Sequence, residues 1–234
     1  MHRLCNLRFT IYVKKMKIIT ILILLLSTIA FAEHPDTTIT KLQQRAELIE
    51  IASKTFGINS KILTAIIFTE RTLNYTWEDE AMDNILAEAG LNSSIGFCQV
   101  KLKTAYWIEV QLNDTSATFF PNKKYKGKLS LSNSPSEIMQ KLENDSLNIF
   151  YAAAFVRIAI SYWEKDGFPI DNKADILGTL YSTGLFKRDG IIRIPNKNPK
   201  ANEFGKRVGE QYDKLTRNYD MLYRHIKHKS LRSL

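Results

Sequence analysis

"NSKILTAIIFTERTLNY", residues 59–75, decides how this chain is to be read. Asn59 and Ser60 can each cap a helix, and the apolar residues after them recur at helical rather than alternating spacing. At about 100° per residue, Leu63 falls roughly 20° from Glu70, Ile66 about 40°, and Ile67 and Leu73 about 60° to either side. Glu70 thus stands in the middle of the apolar stripe, with Lys61, Thr64, Arg71 and Thr72 on the other side. A carboxylate there is either paired with a buried cation, such as Arg157, or kept for chemistry. Loss of hydration raises a carboxyl's pKa and keeps a proton on it near neutral pH, which is what a general acid requires.

Helical spacing continues to both sides. "TKLQQRAELIEIASKTFG" (40–57) carries Leu42, Leu48, Ile49, Ala52 and Phe56 and stops at Gly57, a residue suited to the left-handed turn that ends a helix. "SPSEIMQKLE" (134–143) opens with Ser134, Pro135 and Glu137, a Ser-x-x-Glu capping pattern with proline at the first helical position. "SLNIFYAAAFVRIAISYWEKDG" (146–167) is apolar on nearly all sides, as a helix wrapped by others must be. Val208, Tyr212, Leu215, Tyr219, Leu222 and Ile226 form a core-packing stripe near the end. Only 91–133, with clustered Asn, Ser, Gly and Lys and the aromatic pair Phe119 and Phe120, reads as loop or short hairpin. The expected fold is mainly α, a single domain over 33–234 with an irregular insert.

Residues 1–32 stand apart. A basic start, the apolar run Ile18–Leu26 and the small-residue site Ala30-Phe31-Ala32 make a leader expected to be cut after Ala32, with an uncleaved anchor as the alternative and Met16 as a second possible start. Without them 28 cations face 24 acids, a net charge of +4. That mild excess suits an anionic polymer or wall surface and is not diagnostic of nucleic-acid binding. Cys5 leaves with the leader and Cys98 remains alone, so stability rests on a packed core and not on an internal disulfide. No CxxC, HExxH or Gly-rich phosphate loop occurs, and His34, His225 and His228 lack metal-ligand spacing. Neither a metal nor a cofactor is expected.

About 25 residues beyond Glu70 comes "SSIGFCQVKLKTAYW" (93–107). Gly96, Phe97, Gln99, Thr104 and Ala105 there resemble the Gly-hydrophobic-Met-Gln and Thr-Ala elements of lysozyme-like lytic transglycosylases, with some likeness to goose-type lysozymes. "DSLNIFYAAAFV", "LYSTG" and "FGKRVGEQY" resemble later elements of that family, in order, so the likeness spans roughly 57–212. Arg71 stands where the family usually has serine, Cys98 where it has methionine, and Ser182 where it has asparagine.

The resemblance implies a lysozyme-like fold that cleaves peptidoglycan between N-acetylmuramic acid and N-acetylglucosamine. It implies Glu70 as acid and base, Tyr181 orienting it, and Gly96, Phe97 and Gln99 holding the saccharide. Arg71, where the family has serine, is then a cation flanking the cleft without pointing into it, able to lower the pKa of Glu70 or to bind an anionic substituent. A single glutamate would leave 1,6-anhydromuramic ends. A hydrolytic muramidase would use a second carboxylate, for which Asp83 is the candidate by its spacing from Glu70 in goose-type lysozymes, and a silent wall-binding protein would keep the groove without turnover. Peptidoglycan strands are the implied partner, with no nucleic acid and no stable membrane insertion once the leader is removed. The implied setting is an exported one, periplasmic or extracellular.

Overall fold

The computed structural model describes residues 33–74, 94–187 and 189–230. They form α1 (Pro35–Gln44), α2 (Ala46–Phe56), α3 (Ser60–Asn74), β1 (Ser94–Ile95), β2 (Val100–Lys101), α4 (Leu102–Asn113), α5 (Pro135–Glu143), α6 (Asp145–Lys165), α7 (Ala174–Thr183) and α8 (Glu203–Ser230). The expected leader and Asp83, with the acidic run around it, lie outside the described residues.

At the centre is α6, where every residue from Asn148 to Ser161 except Phe150 is buried. Its all-round apolar sequence is satisfied by α2, α4, α5 and α7 packed about it. α3 is enclosed just as fully, since Ile62 through Thr69 are all buried. Thr64 and Arg71, on the side away from the apolar stripe, are buried too, because α1 and α8 cover that side. α7 and α8 pack backbone to backbone. A methyl group at Gly178 would sit 2.7 Å from the Val208 side chain, and one at Gly205 would sit 2.1 Å from the Asp175 carbonyl oxygen. Among the described residues no helix is long and apolar enough to cross a membrane.

The helix ends follow the sequence signals. Asn59 Oδ1 accepts from the Lys61 amide at 2.9 Å, and Gly57 ends α2 at φ 61°. Ser134 Oγ accepts from the Glu137 amide at 3.2 Å, while the Glu137 carboxylate reaches back to the Asn133 amide at 2.8 Å. The stretch 40–57 breaks at Arg45, whose backbone leaves the helix at φ −108°, ψ 7°.

The expectation of loop or hairpin throughout 91–133 needs correction. A hairpin is present but minimal, with Ser94 paired to Lys101 and Ile95 to Val100, and it leads straight into the 12-residue helix α4. Leu102, Ala105, Ile108 and Leu112 form its buried face, but so do Glu109 and Gln111, polar residues that break the apolar period. Glu109 is wholly buried and satisfied: it accepts from Tyr151 Oη, from the Ser132 amide at 2.6 Å, from Ser132 Oγ at 2.8 Å and from Lys141 Nζ at 3.2 Å. These partners lie 23 to 42 residues away in sequence.

Asn148, near the start of α6, joins the hairpin to the helices. Its Oδ1 accepts from the Cys98 amide at 2.7 Å, and its Nδ2 donates to the carbonyls of Ile95 at 2.9 Å and Leu142 at 2.8 Å. Removing that amide strands a buried donor and two buried acceptors. Asn148→Ala is expected to lower stability in urea denaturation by about 3 kcal/mol or more.

Candidate active site

The last turn of α3 comes out from under its neighbours into a cleft of about 490 Å³. Glu70 lines it and is half-buried, whereas the turns of α3 before it are enclosed. The opposite side is built from the hairpin, through Ser94 and Gln99–Lys101, and from Thr104 of α4. Phe155 of α6 and Tyr181–Gly184 at the end of α7 complete it. Arg157, the alternative partner for Glu70, turns elsewhere: its guanidinium donates to Ser161 Oγ at 3.0 Å and Glu164 at 2.7 Å.

The hairpin turn is held in a conformation that few residues adopt. Gly96 has φ 76°, and a side chain there would meet the Leu142 carbonyl oxygen at 2.3 Å and the Asn148 amide at 2.4 Å. Gln99 is the one non-glycine among the described residues with positive φ, at 53°, a conformation disfavoured for side-chain-bearing residues unless the surroundings impose it. Its amide and its Nε2 both donate to the Gly96 carbonyl at 3.1 Å. The side-chain carbonyl has no protein partner among the described residues, so it can accept a hydrogen bond from a ligand in the cleft.

Tyr181 is placed beside Glu70 in the cleft wall, but its hydroxyl donates to the Cys98 carbonyl at 2.7 Å. Its proton is therefore committed to the hairpin. Burial, with Cys98 and Glu70 nearby, pushes the phenol well above its ordinary range, so it stays protonated. Phe155 meets the ring edge-on at 5.7 Å between centroids and fixes its plane. Cys98 lies under the turn, wholly buried, and burial pushes its thiol up. It is packing, not a nucleophile.

Three of the expected substrate-binding residues are not cleft-lining. Gly96 supplies the turn and Phe97 is buried beneath it. Arg71, the next residue of α3 and so about 100° round the helix from Glu70, is turned into the protein and is 2 % exposed. Its Nε donates to Glu33 Oε2 at 2.8 Å, Nη2 to Glu33 Oε1 at 3.2 Å and Nη1 to the Phe97 carbonyl at 3.1 Å. The guanidinium also lies over the Phe97 ring at 4.6 Å, with Arg45 at 4.5 Å from the same ring. The expectation of a cation reaching an anionic substituent in the cleft is replaced by a buried clamp. Its sequence signal was weak, because Glu33 is 38 residues away and beside the expected leader. Lys101 and Thr183, also cleft-lining, carried no signal at all.

Glu33 is the centre of that clamp. Burial alone would raise its carboxyl, but hydrogen bonds from Arg71, Lys41 and Thr38 and the Arg71 charge outweigh it and hold the pKa at about 2, against an ordinary 4.5. A pKa depressed on folding contributes stability that is complete above the unfolded value and lost as pH falls towards the folded one. Between pH 4.5 and 2 the protein should therefore lose stability through this group. In acid titrations followed by circular dichroism, Glu33→Gln should remove that part of the slope and cost about 3 kcal/mol at neutral pH, with Arg71→Ser costing at least as much.

Comparison with protein families gives a match over residues 17–161 to the family described as T6SS, Peptidoglycan muramidase Tse3, catalytic domain. The matched span includes Glu70, the hairpin and most of α6, and ends before α7 and α8. A comparison with curated proteins gave no match. The matched span exceeds half of the chain, and the chain belongs to this family of peptidoglycan-cleaving catalytic domains.

Proposed function

We propose that this protein cleaves the glycan strands of peptidoglycan between N-acetylmuramic acid and N-acetylglucosamine, with Glu70 as the general acid. The observation that carries the reading is the position of Glu70: a carboxyl on the last turn of an enclosed helix, at the wall of a cleft large enough for sugar rings. Protonation of the bridging oxygen must accompany departure of the leaving sugar, and a carboxyl held on a rigid element can meet that oxygen without reorganisation. Gln99 Oε1 and Thr104 Oγ1 supply hydrogen-bonding groups for sugar hydroxyls and acetamido groups along the same wall. Tyr181, its hydroxyl hydrogen-bonded to the Cys98 carbonyl, acts by holding the hairpin against α7 and by keeping an apolar ring beside Glu70. It positions the acid through packing.

After the bond breaks there are two routes. In the first, Glu70 returns as a base and takes the proton of the 6-hydroxyl of the same sugar, which closes on C1 and leaves a 1,6-anhydro end. Glu70 is the only carboxylate lining the cleft among the described residues, which supports this route. In the second, Asp83 holds a water that attacks C1 and leaves a reducing end. The family's description as a muramidase favours this one. Export through the leader-like segment 1–32 would put either activity where peptidoglycan is, in a periplasm or outside the cell.

Mass spectrometry of fragments released from purified peptidoglycan separates the routes. The single-glutamate route gives anhydro ends from both wild type and Asp83→Asn, with the rate of the variant lowered by less than about tenfold. The hydrolytic route gives reducing ends, and Asp83→Asn then costs at least about 100-fold, as expected for a lost general base. Intact strands after incubation with the wild-type protein would overturn both.

A further inference from the structure

The chain that leaves the cleft at Gly184 is strongly basic. "GLFKRDGIIRIPNKNPK", residues 184–200, holds five cations, Lys187, Arg188, Arg193, Lys197 and Lys200, against one acid, Asp189. It folds back on itself through an antiparallel bridge between Phe186 and Ile192. Phe186, Ile191 and Ile194 are three of the six exposed large apolar residues among those described. The family match ends at residue 161, so this hairpin lies beyond it.

Behind the hairpin is a second cavity, of about 340 Å³. Trp163, Ile176 and Leu180 give it an apolar floor, and Lys187, Arg193 and Lys200 stand around it with no carboxylate in its lining. Among the described residues none of these three cations forms an ion pair. Trp163 is 3 % exposed, and its indole N–H is buried with no hydrogen-bond partner. Buried donors in folded proteins are nearly always satisfied, so this one marks a place where an acceptor is missing.

This cavity and the active-site cleft are neighbours on one helix. Thr179 and Leu180 face the cavity, and Tyr181–Gly184 face the cleft. Arg193 ties the two together, since its Nε donates to the Gly184 carbonyl at 3.0 Å. A ligand that fits must carry anionic groups on a small, partly apolar frame, and it must lie within a short reach of a sugar bound beside Glu70. We propose that the cavity binds the carboxylates of the acidic stem peptide that muramic acid carries on its lactyl group, while the glycan occupies the cleft. The proposal rests on the peptidoglycan reading above and adds a peptide subsite to it. Unpaired cations over an apolar floor recognise carboxylate and alanine methyl together, which neither a bare glycan nor a neutral peptide supplies.

The test compares the wild-type protein with the double variant Lys187→Ala, Lys200→Ala on two substrates: soluble glycan strands bearing stem peptides, and strands stripped of them by an amidase. Arg193 is left in place because it holds Gly184. The expected result is a KM raised about tenfold on peptide-bearing strands, with kcat unchanged and stripped strands cut as by wild type. An equal change on both substrates, or no change on either, overturns the subsite. A second arm does not depend on turnover: free tetrapeptide is titrated into Glu70→Gln while the Trp163 indole N–H resonance, assigned by its loss in Trp163→Phe, is followed by NMR. That resonance should move with added peptide, and should not in a Glu70→Gln protein that also carries the two lysine substitutions. If wild type cuts neither substrate, the peptidoglycan reading fails, yet the titration still decides the cavity, and an unmoved Trp163 resonance overturns it.

Discussion

Arg71 is 2 % exposed, and a guanidinium so placed keeps its charge, because arginine does not deprotonate in proteins. Burying it is tolerable only if a carboxylate and backbone oxygens meet all of its directions. Glu33 provides the first, bound through both oxygens, and the Phe97 carbonyl provides another. The consequences spread from there. The segment entering α1 must lie across the end of α3, and the hairpin carrying Phe97 must close over the guanidinium. Since Glu70 and Arg71 are adjacent on one helix, fixing the second fixes the direction of the first. The cleft wall facing Glu70 is the same hairpin, whose Cys98 is held through its amide by Asn148 and through its carbonyl by Tyr181.

That arrangement explains which parts of the molecule could be read from the sequence. Helices announced by local signals were legible: Asn59, Gly57 and Ser134 each do at the backbone what their residue type suggests. The enclosure of α6 followed from an apolar run with no polar face. α4 was not legible, because Glu109 and Gln111 occupy buried positions, the first satisfied by segments 23 to 42 residues away and the second by the Phe119 amide in the loop after the helix. The carboxylate of Glu70 could be singled out by its place on a helical wheel, and Gln99 and Tyr181 through family likeness, and all three line one cleft. Arg71 was legible as pointing away from the cleft, but its role was not, for a specific reason. A cation beside a cleft and a cation clamped beneath it look identical in sequence until the acid that pairs with it is known, and Glu33 is brought to it only by the fold.

The hairpin 184–200 shows the converse case. Its charges are visible in sequence, but their meaning depends on the cavity that Trp163 and Leu180 form behind them. Thr179 and Leu180 line that cavity, and the next residues of the same chain, Tyr181–Gly184, line the cleft. Arg193 lines that cavity and donates to the carbonyl of Gly184, a cleft-lining residue, so one side chain touches both.

The central claim is that Glu70 performs the chemistry on a framework that does not need its charge. It is tested most directly by release of soluble fragments from purified peptidoglycan by wild type and Glu70→Gln, alongside urea denaturation of both proteins. Glutamine keeps the shape and cannot give up a proton, so the variant should unfold at the same or higher urea and should release fragments at least about 1,000-fold more slowly. A folded Glu70→Gln protein that releases fragments at a rate near wild type would contradict the account.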